Sequence, residues 1–292
     1  MKYAWIDGQR DIYPLEALCQ ALSLSASGYA NWKRGGSCSK RLSDMQLLTM
    51  IRSIHAEFKG AYGWPRMTVE LRERGIPVGK ERVRLLMQKH GIKARHKRKY
   101  KATTDSRHNL PIAPNRVAQN FVTQRVDQIW TSDITYIPTA EGWLYLAVVL
   151  DIHTRMIVGW AMDGRMTKDL VVSALRMAWF RRRPAAGVTH HSDRGSQYCS
   201  QAYQRQLTEY GMLASMSRKG NCWDNAPTES FFNSLKNERT HQARYVTRDE
   251  AQQDTFDYIE LFYNRRRRHS ALNFLSPATY HRLCMDQQKL AA

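Results

Sequence analysis

The sequence lacks any long hydrophobic segment. Its longest apolar run, Trp143 to Leu150, has eight residues, whereas a helix needs about 20 to cross a bilayer. A secretory signal is also missing, because Met1 to Ile6 includes Lys2 and leads directly to Asp7. These absences predict a protein that does not enter a membrane and works in the cytoplasm.

Cysteine is scarce, and its pattern is not that of a disulfide or zinc protein. The five cysteines are odd in number and contain no C-x-x-C pair: Cys19, Cys38, Cys199, Cys222 and Cys284. A disulfide framework or a structural zinc site would need paired cysteines at characteristic spacings. We therefore expect reduced thiols, and no structural metal held by sulfur.

Acidic residues are few compared with basic ones. The 292-residue chain has 45 Lys and Arg against 26 Asp and Glu, a formal net charge of +19. Residues 1–120 hold 23 basic and 9 acidic side chains, a net of +14, and the rest of the chain nets +5. This imbalance predicts a nucleic acid partner, bound mainly by the first part of the chain.

The first 92 residues have helical patterns. Pro14 to Leu22 and Tyr29 to Trp32, separated by small residues, predict a helix-turn-helix. An ordinary helical hairpin that binds no DNA has the same pattern. Apolar residues at helical spacing predict further helices over Ser43 to Phe58, Arg66 to Arg74 and Lys80 to His90.

The last of these helices has basic side chains opposite an apolar stripe. Lys80, Arg82 and Arg84 alternate with the apolar positions Val83 and Leu86. This arrangement is suited to a helix that enters a DNA groove, although a solvated helix face has it too.

A dense basic run follows the helices. Six of the nine residues from Lys93 to Lys101 are Lys or Arg, among them Lys97, Arg98 and Lys99. Such a run cannot pack into a core, and we expect it to follow DNA phosphates.

From residue 127 onward the pattern becomes strand-like. Three apolar runs, Ile129 to Ile137, Trp143 to Leu150 and Met156 to Met162, are separated by short polar turns and must be antiparallel. Helices and short strands then alternate, with a strand ending near Asp193 and another at Met212 to Met216. This order predicts an α/β, ribonuclease-H-like mixed sheet flanked by helices, preceded by an all-α helix-turn-helix region.

The expected domains are a helix-turn-helix DNA-binding region (1–92), a basic linker (93–120), a catalytic core (121–280) and a C-terminal tail (281–292).

Three acids stand out within the core. Asp133 lies in the first strand, Asp193 follows a strand, and Glu229 lies in the first turn of a helix that opens at Asn225 with Pro227. Clustered carboxylates suit two Mg²⁺ or Mn²⁺ ions about 4 Å apart, which promote phosphoryl transfer. Lys236 lies two turns after Glu229 on one helix face, where it can hold a phosphate.

These acids occur in sequence blocks that resemble the DDE transposases of bacterial insertion sequences, and within them the second-reading-frame product of the insertion-sequence three family. The blocks are WTSDITYI, GWLYLAVVLDIHTRMIVGW (142–160), HSDRGSQY (191–198), NAPTESFFNSLKNE (225–238) and YNRRRRHSALNFLSP (263–277). The 35 residues between Asp193 and Glu229, and the basic residue seven beyond Glu229, are features of that family.

The resemblance implies a metal-dependent enzyme that cuts and joins DNA at the ends of its own element. Asp133, Asp193 and Glu229 would hold the metal ions. The resemblance also implies a homo-oligomer assembled on DNA, in a bacterial cytoplasm and at the nucleoid. It further implies a fusion with, or partner from, the upstream reading frame; this sequence shows no heptad repeat of its own.

Further residues are candidates for contacts with DNA. His191 shares a strand face with Asp193, although a packed histidine is the alternative. The loop after Met216 contains Arg218 and Lys219, and a basic knot comprises Arg265, Arg266, Arg267 and Arg268. Asp151 and Asp224 are rival carboxylates that we interpret as structural, Asp151 being the more suited to approach the site.

Two alternatives to transposition remain at this point. An enzyme on the same fold could hydrolyse DNA without joining it, and the basic first part alone would permit a DNA-binding regulator without catalysis. A DNA-binding regulator without catalysis would not explain the presence of the three spaced acids.

Overall fold

The computed structural model describes residues 2–33, 42–95, 110–218 and 222–291. It comprises two compact units, Met1–Ser53 and Ile54–Ala292. In the described residues no helix is both long enough and apolar enough to span a bilayer. The predicted contacts of Lys97, Arg98, Lys99 and Lys219 with DNA lie outside the described residues.

The first unit is helical. Its helices are α1 (Lys2–Gln9), α2 (Leu15–Ala21), α3 (Ala26–Lys33) and the first part of α4 (Asp44–Glu57). Ile6, Leu18, Cys19 and Tyr29 form a small buried cluster. The predicted pair of helices is confirmed as α2 and α3, whereas α1 has too weak an apolar periodicity to be predicted from sequence.

The second unit begins with the end of α4, followed by α5 (Trp64–Glu73) and α6 (Lys80–Lys89). All three helices were predicted to within about two residues. Gly75 follows α5 with φ +78°, a conformation that favours glycine and commonly ends a helix. Val83, Leu86 and Met87 are the buried residues of α6.

A five-stranded sheet forms the centre of the second unit. Its strands are β1 (Ile129–Thr139), β2 (Gly142–Asp151), β3 (Ile157–Asp163), β4 (Thr189–Ser192) and β5 (Leu213–Met216), in the order β3-β2-β1-β4-β5. The first three strands are antiparallel, and β4 and β5 run parallel to β1. This is the predicted ribonuclease-H-like mixed sheet.

Helices cover both faces of the sheet. They are α7 (Lys168–Arg182), α8 (Ser196–Cys199), α9 (Gln201–Glu209), α10 (Ala226–Glu238), α11 (Arg248–Phe256) and α12 (Pro277–Ala291). The first three contribute to one buried cluster, around Trp130 and Leu175, and α10 contributes to another, around Val148 and Phe231. Gly159 on β3 permits α7 to approach, because a Cβ there would lie 2.2 Å from the Ala174 carbonyl oxygen.

The C-terminal part differs from its prediction in two ways. The apolar residues of segment 248–264 predict a single helix, but the α-helix ends at Phe256 and continues as a π-helix over Asp257–Tyr263. Residues 281–291, expected as a tail, belong to α12. The proposed domain boundaries stay predictions.

Candidate active site

Strand β1 places Asp133 on the sheet face that α10 covers. Asp133 is opposite Val148 of β2, and Val148 belongs to the cluster that includes Phe231 of α10. The Asp133 carboxylate is half-buried, and Oδ1 accepts a hydrogen bond of 2.7 Å from the backbone N–H of Ile134.

Asp193 immediately follows β4, the neighbour of β1. The Oδ1 atom of Asp193 accepts a 2.8 Å hydrogen bond from the N–H of Gly195, which fixes the turn after the strand. A Cβ on Gly195 would lie 3.0 Å from the same Oδ1 atom, so a larger residue there would crowd the carboxylate. The glycine thus matters for how Asp193 is presented.

Two hydrogen bonds attach the start of α10 to β1. Thr228 donates its hydroxyl to Thr131 Oγ1 at 2.7 Å, and the Asn225 amide donates to the Ser132 carbonyl at 3.2 Å. Asn225 occupies the N-cap position as predicted, but its side chain binds β1 instead of capping the helix. These contacts hold Glu229, in the first turn of α10, close to the strand that contains Asp133.

The three acids interact electrostatically. Burial raises the pKa of Asp133 well above its usual range, the nearby charges of Asp193 and Glu229 raise it further, and Lys236 opposes the shift. Burial also raises the pKa of Glu229. Over the described ranges, no three His, Cys, Asp or Glu side chains are arranged closely enough to hold a metal ion. The three carboxylates offer the oxygen donors that a hard divalent cation prefers, and such an ion would have to draw them closer together than they lie here.

Lys236 lies near the acids, on the same helix as Glu229. It is 8% exposed, and burial lowers its pKa while the charge of Asp133 raises it. Its Nζ atom lies 5.1 Å from the centroid of the Tyr136 ring. The predicted proximity of Lys236 to the acidic cluster is therefore observed, although its contact with DNA stays a prediction.

His191 is a structural residue, which corrects its prediction as a DNA contact. It shares the Asp133 face of the sheet, but it is completely buried. Its Nδ1 atom lies 2.8 Å from Ser215 Oγ, and its Nε2 atom lies 3.2 Å from Ser217 Oγ. Because burial lowers the pKa of His191 to about 4, the ring is neutral at pH 7 and attracts no phosphate.

Asp151 and Asp224, the two other carboxylates considered for the site, have structural roles, in agreement with the interpretation of the sequence. Asp151 is fully buried at the end of β2, where it accepts hydrogen bonds from the N–H and hydroxyl of Thr154 and pairs with Arg182 at 3.4 Å. Asp224 is equally buried and accepts hydrogen bonds from Arg218 and from the Asn115 amide. The expectation that Asp151 approaches the site is wrong, because its position on β2 is opposite Trp130 rather than Asp133.

The predicted four-arginine DNA clamp is wrong for its last two members. Arg267 and Arg268 are 4% and 8% exposed. Arg267 donates two hydrogen bonds to Glu238, at 2.6 and 2.8 Å. Arg268 pairs with Glu70 at 2.8 Å and with Glu73 at 2.6 Å, both on α5. Arg268 thereby joins the helical residues 54–95 to the core, and both guanidinium groups are held in buried ion pairs with carboxylates rather than presented to a phosphate.

The other basic residues that were predicted to contact DNA differ in their exposure to solvent. Arg265 is exposed, whereas Arg266 is exposed but ion-paired with Glu57. Arg218 is anchored by Asp224 at 3.1 Å. On α6, Lys80 is exposed, Arg82 is partly exposed, and Arg84 pairs with Glu81 at 2.5 Å.

Tyr198 is a residue near the site that sequence reasoning missed. Its hydroxyl is buried and has no hydrogen-bond partner among the described residues. Burial raises its pKa, and the charges of Tyr203, Asp133 and Asp193 raise it further. The only sequence signal was its place in the block HSDRGSQY.

Three known protein families match parts of this chain. An integrase core domain family matches residues 123–222, a second integrase core domain family matches residues 229–283, and an HTH-like domain family matches residues 43–100. These matches include all three acids and helices α5 and α6.

Two relatives match the chain almost from end to end. An insertion element IS600 31 kDa protein of Shigella sonnei is 47% identical over 90% of this chain and 97% of its own length. The transposase InsF for insertion sequence IS3A of Escherichia coli K12 is 39% identical over 96% of this chain and 98% of its own length. The chain belongs to the IS3 family of transposases. The expected family is thereby confirmed, and with it the integrase-type core and the HTH-like region of this IS3-family chain.

The chain also has a weak structural similarity to viral integrases of known structure. A simian T-cell lymphotropic virus intasome in complex with PP2A regulatory subunit B56 gamma is 14% identical, with a TM-score of 0.45 over 79% of this chain and 74% of that one. The HTLV-2 integrase catalytic core domain in complex with magnesium is 16% identical, with a TM-score of 0.43 over 55% of this chain and 99% of that one.

Proposed function

We propose that this transposase cuts DNA at the ends of its own insertion element and joins the exposed 3′-OH to a second phosphodiester. The observation that carries the proposal is the electrostatic influence of Asp193 and Glu229 on Asp133, from which they are separated by 59 and 95 residues. Three acids that repel one another in a half-buried site are costly unless a cation belongs there. Neither a regulator nor a purely structural core needs them.

In this proposal Asp133, Asp193 and Glu229 would hold two Mg²⁺ (or Mn²⁺) ions. Bound ions of this kind activate the attacking oxygen and stabilise the leaving oxygen of an in-line displacement. The three carboxylates would position the ions and balance their charge. The Thr228–Thr131 hydrogen bond keeps Glu229 beside β1. Lys236 holds a phosphate next to the acids. Exchange of one phosphodiester for another needs no nucleotide cofactor.

The remaining parts of the chain bind and arrange the DNA. We propose that α6 presents Lys80, Arg82 and Arg84 to a groove, and that the basic run 93–101 and Arg265 follow the backbone. Two element ends must be held together, which requires a homo-oligomer on DNA at the bacterial nucleoid. The upstream-frame product, fused or separate, would add to the recognition of the ends.

A strand-transfer assay tests the proposal. Purified protein, alone and with the upstream-frame fusion, is incubated with Mg²⁺ and a labelled duplex that carries the terminal sequence of its element. Asp133→Asn, Asp193→Asn and Glu229→Gln should each abolish both cleavage and joined product, whereas the exposed Asp286→Asn should have no effect. Cleavage without any joined product would identify a hydrolytic nuclease instead, and unchanged activity in an acid variant would contradict the assignment.

A further inference from the structure

Two partly exposed aromatic side chains lie beside a largely buried cation, Lys236, near the acidic residues. Tyr136 lies three residues after Asp133 on β1, and the Lys236 ammonium lies 5.1 Å from the Tyr136 ring centroid. The rings of Tyr136 and Trp143 meet edge to face, with centroids 4.8 Å apart and an angle of 76° between their planes. We call Tyr136, Trp143 and Lys236 the aromatic ledge.

The two aromatic rings of the ledge are open to solvent, whereas Lys236 is largely buried. Trp143 is 48% exposed and Tyr136 is partly exposed, and the two residues are diagonal neighbours across the β1–β2 hairpin. An exposed aromatic surface of this kind, adjacent to a functional site, is typical of a binding surface.

The chemistry of the ledge fits a nucleotide better than a protein segment. Lys236 lies on the same helix as Glu229, and its ammonium is 5.1 Å from the Tyr136 ring centroid, so the cation is near both the aromatic rings and the proposed reaction site. A nucleotide offers an anionic phosphate to the ammonium and a flat π-face to the rings. Every base has such a face, but in a duplex both faces are already stacked, so only an unpaired or splayed base can use it.

We propose that the aromatic ledge binds an unpaired nucleotide at the end of the DNA, with the base against Trp143 and Tyr136 and the phosphate at Lys236. The inference rests on the proposed function only in that DNA enters the site at Asp133. It assigns Trp143 the role of a DNA-positioning residue that acts on the strand next to the reacting phosphate.

Binding without catalysis tests the ledge separately from transposition. We would measure the affinity of a 20-base-pair duplex with a five-nucleotide dT extension, and of the same duplex with a blunt end, in EDTA. For the unmodified protein the extension should improve affinity on the order of tenfold, the scale of one stacked base. Trp143→Ala should lose this preference, and Trp143→Phe should keep most of it.

A matched control comes from an aromatic residue elsewhere. Phe180, at the end of α7, is 59% exposed, and Phe180→Ala should keep the preference for the extension. Thermal unfolding of Trp143→Ala shows whether this variant still folds. If it does not, the preference of Trp143→Phe for the extension is the deciding measurement.

Several outcomes would overturn the inference. The inference fails if the unmodified protein binds both duplexes equally or if Trp143→Ala keeps the preference for the extension. It also fails if Phe180→Ala loses that preference to the same extent as Trp143→Ala. A Trp143→Ala variant that changes the oligomeric state in sedimentation, at unchanged DNA preference, would make the ledge a protein interface. Absence of strand transfer in the unmodified protein would contradict the proposed function but leave this binding difference intact.

Discussion

Arg267 and Glu238 form a buried ion pair at the C-terminal end of α10, the helix that contains Glu229 in its first turn. Arg267 Nη2 lies 2.6 Å from Glu238 Oε1, and both side chains are more than nine-tenths buried. The Tyr258 hydroxyl donates to the same carboxylate at 2.7 Å, and Arg95 donates to the Glu238 carbonyl at 2.8 Å. The far end of α10 is therefore held both by the helical residues 54–95 and by the C-terminal segment.

Removal of the negative charge from this pair should destabilise the protein strongly. Glu238→Gln leaves the Arg267 guanidinium buried without a counter-charge, a change that typically costs about 3–5 kcal/mol. The free energy of unfolding from denaturant titration measures it. Glu81→Gln, which breaks the exposed pair with Arg84 on α6, is the matched control and should change little. An equally small effect of both substitutions would contradict the assigned role of Arg267.

Crowding of Asp193 should impair activity without unfolding the protein. In Gly195→Ala, the new Cβ lies 3.0 Å from Asp193 Oδ1, so the carboxylate must shift by a few tenths of an ångström or more. Because small misplacements of catalytic groups are costly, we expect strand transfer to fall about tenfold to a hundredfold. Gly8→Ala, whose Cβ would meet nothing within 4 Å, should have normal activity. Normal activity in Gly195→Ala would show that the position of Asp193 is not critical.

Acid should destabilise the fold through a histidine that must remain neutral. His190 is 1% exposed, and its Nε2 atom lies 2.9 Å from Ser132 Oγ and 3.0 Å from the Tyr203 hydroxyl. Burial, then the neighbouring His191, lowers the pKa of His190 to about 3.

The sign of this effect follows from the two states. Between pH 6.5 and 3 the unfolded chain binds a proton at His190 that the folded chain does not, so stability is lost as pH falls through that window. His190→Gln should make the slope of unfolding free energy against pH shallower by up to one proton, about 1.4 kcal/mol per pH unit. An unchanged slope between pH 6 and 4 would contradict a neutral, buried His190.

Salt dependence should separate the basic residues that contact DNA from those that stabilise the fold. Each Lys or Arg that neutralises a duplex phosphate contributes about 0.9 to the slope of log affinity against log salt. We therefore expect Arg265→Ala and Lys80→Ala to reduce that slope, measured by fluorescence anisotropy on duplex DNA. His191→Gln should leave the slope unchanged and lower the unfolding temperature instead. A reduced slope in His191→Gln would restore it as a DNA contact.

Local patterns predicted the elements of this fold well. Alternating apolar residues and short polar turns identify β1, β2 and β3, and helical periodicity with Gly75 and Pro77 in the break identifies α5 and α6. Asp133, Asp193 and Glu229 were found because each lies at a recognisable position, within a strand, after a strand and in a first helical turn. The π-helix was not predicted, because a change from four- to five-residue hydrogen bonding leaves the apolar pattern nearly unchanged.

Long-range pairing explains what the sequence did not predict. Four consecutive arginines predict a DNA clamp only while their partners are unknown; Glu70, Glu73 and Glu238 lie about 30 to 200 residues away in sequence and become neighbours only in the fold. His191 was assigned the correct strand face, but Ser215 and Ser217 of the β5 segment cover it. Strand periodicity predicts which face a side chain occupies, not what covers that face.

The most direct test of the central claim is metal binding by single variants of the three acids. Calorimetric titration of Mn²⁺ into the unmodified protein, with its thermal unfolding temperature followed in parallel, should show binding and stabilisation. Asp133→Asn, Asp193→Asn and Glu229→Gln should each weaken Mn²⁺ binding by at least about tenfold, since each removes a charged ligand from a shared site. If any one of the three variants bound Mn²⁺ like the unmodified protein, that acid would not belong to the site and the proposed chemistry would be wrong.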